Sequence, residues 1–374
     1  MKMLFITPQP PENYGGGGMV INGHLRALES LLGNKNIIYI GPQSNTVDLS
    51  KYYKIWITEK AGLINKVAAA IFQNTFTGTE IYLLRHQKEL SSFLEEADFV
   101  WVETTKLGTI LQLIKSRFSL PIYCFSHNDE IAYYMQSEPH IYKIFKKAIF
   151  NSEKLTAEYA DIILFGSEIS LKTFQKKFKV SSAKLNILNM FTHIPRQELN
   201  STTNNNYIKG VAFSGSFKYL HNMRSLLKII NIWRENNFDY MLVIIGSGFL
   251  SKRTNLLTLK NIAIVNQPVD EINILKFLPI YVNPVVSYGG ILIKNLVALS
   301  AGNIVIGFKD TFRGYLEGSY FIPANDLREM FEIANKLLSE EGFVKSTRQK
   351  AVKYFNESHS LEYGISEIAK IIRI

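Results

Sequence analysis

Cysteine is almost missing from this chain of 374 residues. The single Cys124 closes no intramolecular bridge, and no Cys/His spacing suits structural zinc, so disulfide scaffolds and zinc fingers are excluded and a reducing compartment fits best. Long apolar runs are missing too. No stretch approaches the roughly 20 residues of a membrane span, and runs such as DIILF at 161–165 have the length of a buried strand. The N-terminal MKMLFITPQPP offers only a short apolar run without a small-residue cleavage site, whereas a signal peptide needs about 7 to 15 apolar residues. The expectation is a cytoplasmic protein whose membrane contact, if any, is peripheral. No repeat with a period of roughly 20 to 50 residues is visible. There is no Gly-x-Gly-x-x-Gly followed by an acidic residue after the second strand, no P-loop Lys-Ser/Thr and no Asp-x-Asp. A dinucleotide fingerprint and a P-loop are thereby excluded, and metal dependence is disfavoured.

What is present is core material. The chain is 47% hydrophobic, with 24 Phe and 19 Tyr, which excludes a disordered or collagen-like polymer, and its length suits two domains rather than one core. Lys and Arg exceed Asp and Glu by 10, which suggests an anionic partner: a phosphate, a lipid surface or nucleic acid. The basic residues are dispersed among acids without a recognition motif or basic tail, so nucleic acid is the weakest of the three.

Short apolar runs alternate with amphipathic stretches throughout, the signature of βα units around parallel sheets. Strands are expected at 3–7, 37–40, 99–102, 122–125 and 162–165, with a helix from about Met19. The rhythm restarts with strands at 211–214, 241–245, 262–265, 280–283 and 304–306 and helices at 225–234 and 293–301. Between the halves lies a polar Asn/Ser/Thr-rich stretch. The expected division is an N-terminal domain over 1–194, a linker over 195–208, a second α/β domain over 209–356 and a C-terminal helix over 357–374 packing back on the first domain. The end gives three amphipathic stretches broken near Gly342 and at 356–360, with Asn325 or Asp326 as a cap followed by Glu329.

Three segments carry chemistry. PPENYGGGGMV (10–20) follows strand one and precedes a helix; its glycines permit close backbone approach, and the helix start offers free N–H groups to an anion, although a plain surface loop has the same composition. CFSHNDEIAYY (124–134) places His127, Asn128, Asp129 and Glu130 at a strand end, able to bond a polyol, or with Asn128 or Asp129 simply capping the next helix. In VNPVVSYGGILIKNLVALSAGNIVIG (282–307), Gly289-Gly290 opens a helix with Lys294 in its first turns. Amides plus one ammonium there make a diphosphate site, the alternative being a core helix with a snorkelling lysine.

In this order and spacing the segments resemble retaining glycosyltransferases of the GT-B fold, in particular family 4 enzymes of bacterial polysaccharide and cell-envelope synthesis. PP with the glycine run, the His127-Asn128-x-Glu130 run and DIILFGSEIS through LNILNMF resemble that family's first domain. FSGSFKYLHN, VIIGSG and the helix of Lys294 resemble its second. The resemblance implies an α/β fold of two Rossmann-like doubly wound domains facing a cleft. It implies transfer of a sugar from a UDP- or GDP-sugar to a glycan or lipid-linked acceptor, with retention, without a metal and without another cofactor. It implies that Gly16, Gly17 and Gly18 approach the donor phosphates and that Gly289, Gly290 and Lys294 hold the diphosphate. It implies that Gly215 and Ser216 stand at the mouth of the second domain, with Lys218 as a substitute basic group. It implies further that His127 contacts the transferred sugar and that Asn128 and Glu130 lie on the sugar or acceptor side. His127 and Lys294 are the catalytic candidates.

The chain departs from that pattern in places. Gly289 and Val297 stand where many relatives carry two Glu residues, and Val cannot bond a ribose. A catalytically silent GT-B partner subunit is the alternative reading. HIYKIFKKAIFNSEKL (140–155) mixes Lys143, Lys146, Lys147 and Lys154 with Ile141, Ile144, Phe145, Ile149 and Phe150 at helical spacing, as for an anionic membrane surface or a helix packed on the first sheet.

Overall fold

The computed structural model describes residues 1–59, 61–199, 207–236, 238–248, 260–266, 270–286 and 290–373. It divides into two compact units. The first runs from Met1 to His193 and also takes the short segment around Gly290 and the C-terminal stretch from Leu361; the second takes the remainder between Ile194 and Ser360.

Among the described residues the first unit holds a seven-stranded parallel sheet: β1 (Met3–Ile6), β2 (Ile37–Gly41), β3 (Lys54–Ile57), β4 (Phe99–Glu103), β5 (Ile122–Ser126), β6 (Ile162–Phe165) and β7 (Leu185–Ile187), in the order β3-β2-β1-β4-β5-β6-β7. β1, β2 and β4 are buried at every position, because helices cover both faces; this is why they read as unbroken apolar runs. Alternate strand residues, among them Leu4, Ile6, Ile38, Ile40, Val100 and Val102, share one core with Ile110 and Ile114.

Among the described residues the second unit holds a six-stranded parallel sheet: β8 (Gly210–Ser216), β9 (Met241–Ser247), β10 (Ile262–Asn266), β11 (Ile280–Asn283), β12 (Ile304–Gly307) and β13 (Phe321–Pro323), in the order β10-β9-β8-β11-β12-β13. Val211, Phe213, Leu242, Ile244, Ile280 and Val282 meet Trp233 and Phe331 in its core. Strand order reverses next to β1 in one sheet and next to β8 in the other, the places where doubly wound sheets bind ligands beyond their carboxyl ends.

Local chemistry sets the helix ends. The first helix starts at Gly16 rather than near Met19, so that three glycines form its first turn. Towards the other end of the chain, the side chain of Asp326 accepts from Glu329 N at 2.9 Å, while a carboxylate oxygen of Glu329 accepts from Asn325 N at 2.6 Å. This reciprocal cap starts the helix Leu327–Leu337. The break expected near Gly342 falls a few residues earlier, since Glu341–Ser358 already contains Gly342. The last helix, Leu361–Ile372, packs in the first unit against Gly16–Leu32. Gly364 lies so close to Phe191 there that a Cβ would overlap the ring.

Candidate functional site

In the first unit, the loop after β1 and the ends of β4 and β5 meet at the point where strand order reverses. Gly16 and Gly17 are exposed and Gly18 is half-buried, so their amides form an open helix start. The space beside them is filled: a Cβ at Gly17 would lie 2.8 Å from Gln9 Oε1, and one at Gly18 2.8 Å from Glu12 Cβ. Glu12 braces this turn by accepting from Asn45 N at 3.0 Å and Thr46 Oγ1 at 2.5 Å.

His127 follows β5, and its Nε2 lies 2.6 Å from Glu103 Oε2. Glu103, the last residue of β4, is fully buried. Its other oxygen accepts from Trp101 Nε1 at 2.7 Å and lies 2.8 Å from His24 Nδ1. Burial is the largest single influence on this carboxyl and raises its pKa, but the charges and hydrogen bonds of His24 and His127 outweigh it and bring it down to about 2. The His24 ring is itself enclosed, with Phe125 and Phe191 at centroid distances of 4.4 and 4.9 Å. Sequence reasoning singles out His127 but misses Glu103 and His24. The next residue, Thr104, has φ +97°, a conformation that L side chains rarely adopt. It is held by Thr104 N donating to Phe125 O at 2.8 Å and Thr104 Oγ1 donating to Glu130 Oε1 at 3.1 Å.

Glu130 therefore has protein partners for both carboxylate oxygens, Thr104 on one and Lys106 Nζ at 3.3 Å on the other, and is fully buried. Its place is that of a brace under Thr104. Burial works against the charge of Lys106, and facing Glu130 more than restores it, so the lysine pKa is raised. Asp129 caps the helix Glu130–Ser137 by accepting from Ala132 N at 3.1 Å. Asn128 is half-buried, and its carbonyl accepts from Ser126 Oγ at 3.1 Å. Gly290 belongs by its contacts to this unit and lies close against His127 and Asn128: a Cβ there would overlap Asn128 Oδ1 and come within 2.8 Å of His127 O. Gly289 lies outside the described residues.

In the second unit Lys294 stands in the first turn of Ile293–Ser300 and reaches the carboxyl end of β8. Its Nζ donates to Ser214 O at 3.1 Å and to Asn222 Oδ1 at 2.9 Å. Burial lowers its pKa to about 8 against the opposing charge of Glu271, whose own carboxyl is pushed up by burial. Asn222 also donates to Ser216 O at 3.0 Å, and a Cβ at Gly215 would lie 2.9 Å from its amide nitrogen. The segment Gly215–Ser216 is thus shaped around Asn222, a residue that sequence reasoning does not single out, as it does not single out Glu271. Lys218 is exposed. Val297 is buried at 5% exposure. Behind Lys294, Asn283 Nδ2 donates to Asn295 Oδ1 at 2.6 Å and Asn295 Nδ2 to Thr311 O at 3.0 Å, which fixes the helix against the end of β11.

No family model matches the sequence, and no curated protein matches it. Solved structures do match. Anabaena HepE in complex with UDP and glucose is 9% identical, with a TM-score of 0.71 over 100% of both chains. Sucrose-phosphate synthase from Thermosynechococcus elongatus is 11% identical, with a TM-score of 0.70 over 100% of this chain and 98% of the other. WaaG, a glycosyltransferase involved in lipopolysaccharide biosynthesis, is 13% identical, with a TM-score of 0.66 over 99% of each. With these strand orders and these neighbours, the chain has the GT-B fold, built from two Rossmann-like units.

Proposed function

We propose that this chain is a glycosyltransferase that moves a sugar from a nucleotide-diphosphate donor to a glycan or lipid-linked acceptor, with retention and without a metal. The observation that carries the reading is Lys294: a lowered-pKa ammonium held on Ser214 and Asn222 beyond the carboxyl end of β8, where strand order reverses. A structural neighbour of the same fold was solved with UDP and glucose, which supports a nucleotide sugar as the ligand. As the bond between sugar and diphosphate breaks, negative charge grows on the leaving group, and Lys294 stabilises it. His127 bonds the transferred sugar. Incubation with UDP- and GDP-sugars should release the nucleotide, and NMR of the product should show the donor's anomeric configuration; binding without release would favour the silent partner subunit instead.

His127→Ala should lower turnover about tenfold or more while leaving UDP affinity within about twofold, because a group that bonds the sugar acts on transfer rather than on the nucleotide. An equal loss in UDP affinity would contradict that role. A lower melting temperature with normal activity per folded molecule would make the histidine structural.

Peripheral membrane association belongs to the same proposal. No helix among the described residues is long and apolar enough to cross a membrane. In Pro139–Tyr159, Phe145 and Ile149 are buried in the unit, while Ile141, Ile144 and Phe150 are exposed beside Lys143, Lys146, Lys147 and Lys154. The helix Leu63–Phe72, packed on it, exposes Leu63, Ile64, Ile71 and Phe72 as well. Sedimentation with anionic vesicles at low salt should exceed that with neutral vesicles, and the triple change Lys143→Glu, Lys146→Glu, Lys147→Glu should abolish the difference, each lysine contributing on the order of 1 kcal/mol. Equal sedimentation of all three samples would refute it.

A further inference from the structure

Glu103 offers two oxygens to three nitrogen atoms. Oε1 accepts from Trp101 Nε1 at 2.7 Å and lies 2.8 Å from His24 Nδ1, and Oε2 lies 2.6 Å from His127 Nε2. An ionised carboxylate only accepts hydrogen bonds, so each hydrogen in this cluster comes from its partner. His127 must therefore carry a proton on Nε2, and His24 one on Nδ1. In its neutral form the imidazole holds a single N–H, and Nδ1 of His127 then keeps a lone pair. No described residue bonds that nitrogen, and the side chain is 13% exposed. An accessible lone pair fixed in direction selects a donor, and on a sugar the donors are hydroxyls.

We infer that Glu103 is a positioning residue that locks His127 in the Nε2–H tautomer, so that Nδ1 accepts a hydrogen bond from a hydroxyl of the transferred sugar. The hydroxyl rests on the function proposed above; the tautomer does not. Three features keep the lock rigid. Glu103 ends a fully buried strand. His24 and Trp101 hold the oxygen not used by His127. Thr104, at φ +97°, is pinned by Phe125 and Glu130 immediately after it.

The test is a long-range proton–nitrogen NMR spectrum of the full chain labelled with 15N-histidine at pH 8.5, above the ordinary histidine pKa of about 6.5. The His127 signals are assigned by their loss in His127→Gln. The wild-type protein should show His127 protonated on Nε2. Glu103→Gln presents one accepting oxygen and one donating amide. With the oxygen kept by Trp101 and His24, the amide faces His127, takes the lone pair on Nε2 and moves the proton to Nδ1. The expected result is a reversed His127 tautomer, with turnover of the donor lowered at least about tenfold and UDP affinity within about twofold. A wild-type His127 protonated on Nδ1 overturns the inference even if the variant does not fold, and so does an unchanged tautomer in Glu103→Gln. A reversed tautomer with undiminished turnover overturns the sugar contact. Absence of turnover with every nucleotide sugar in the wild type counts against the proposed function while leaving the tautomer result standing.

Discussion

Lys294→Met should weaken UDP or GDP binding ten- to a hundredfold. A charge-assisted hydrogen bond is worth about 1.5 to 3 kcal/mol, and methionine keeps most of the aliphatic stem while removing the ammonium. The change leaves Ser214 O and Asn222 Oδ1 without this donor but also removes a poorly solvated charge, so the melting temperature should move little. The sign of the pH dependence follows from the lowered pKa. Below about 8 the lysine is charged and ready for a diphosphate; above it the neutral form dominates, and affinity should fall by about tenfold per pH unit until the pKa of the liganded lysine is reached. Calorimetry at pH 8 to 9 should accordingly show proton uptake on binding in the wild type and none attributable to this site in Lys294→Met. Unchanged affinity in the variant would remove Lys294 from the site, and loss of folding would support the core-helix reading.

The central strands were legible because both faces of each sheet are covered, and a strand buried on both sides must be apolar throughout. β3, β7 and β13 were not. Lys54–Ile57 has no buried position, Leu185–Ile187 only one and Phe321–Pro323 only one, so the pattern of a half-covered edge strand three or four residues long cannot be told from a loop. Lys294 could be found because a lysine early in an otherwise apolar helix after paired glycines is locally conspicuous. Glu103 could not be found in the same way, since its partners His24 and His127 lie 79 and 24 residues away in sequence and only the parallel sheet brings them together. Two faint signals were present: a carboxylate closing the apolar run FVWVE, and a histidine on the same helical face as Val20 and Leu28. Either alone is also what an ordinary strand end or a core histidine looks like.

Glu103→Ala should destabilise the protein by about 3 to 5 kcal/mol, because it leaves the buried donors of Trp101 and His24, and the half-buried donor of His127, without their shared acceptor. The loss should also depend on pH. The carboxyl's pKa is depressed in the folded state, to about 2, from an ordinary value of about 4.3. Its stabilisation is therefore fully present above the ordinary value and is lost as pH falls through the window from about 4.3 to about 2. A shift of this size corresponds to roughly 3 kcal/mol, of which more than half is gone by pH 3. Chemical denaturation at pH 7 and pH 3 should show a gap between wild type and Glu103→Ala that narrows by about 2 kcal/mol at the lower pH. A gap of the same size at both pH values would mean that the carboxylate contributes through packing alone and not through its charge, and it would remove the electrostatic basis for the ionised, accepting Glu103 on which the tautomer of His127 depends.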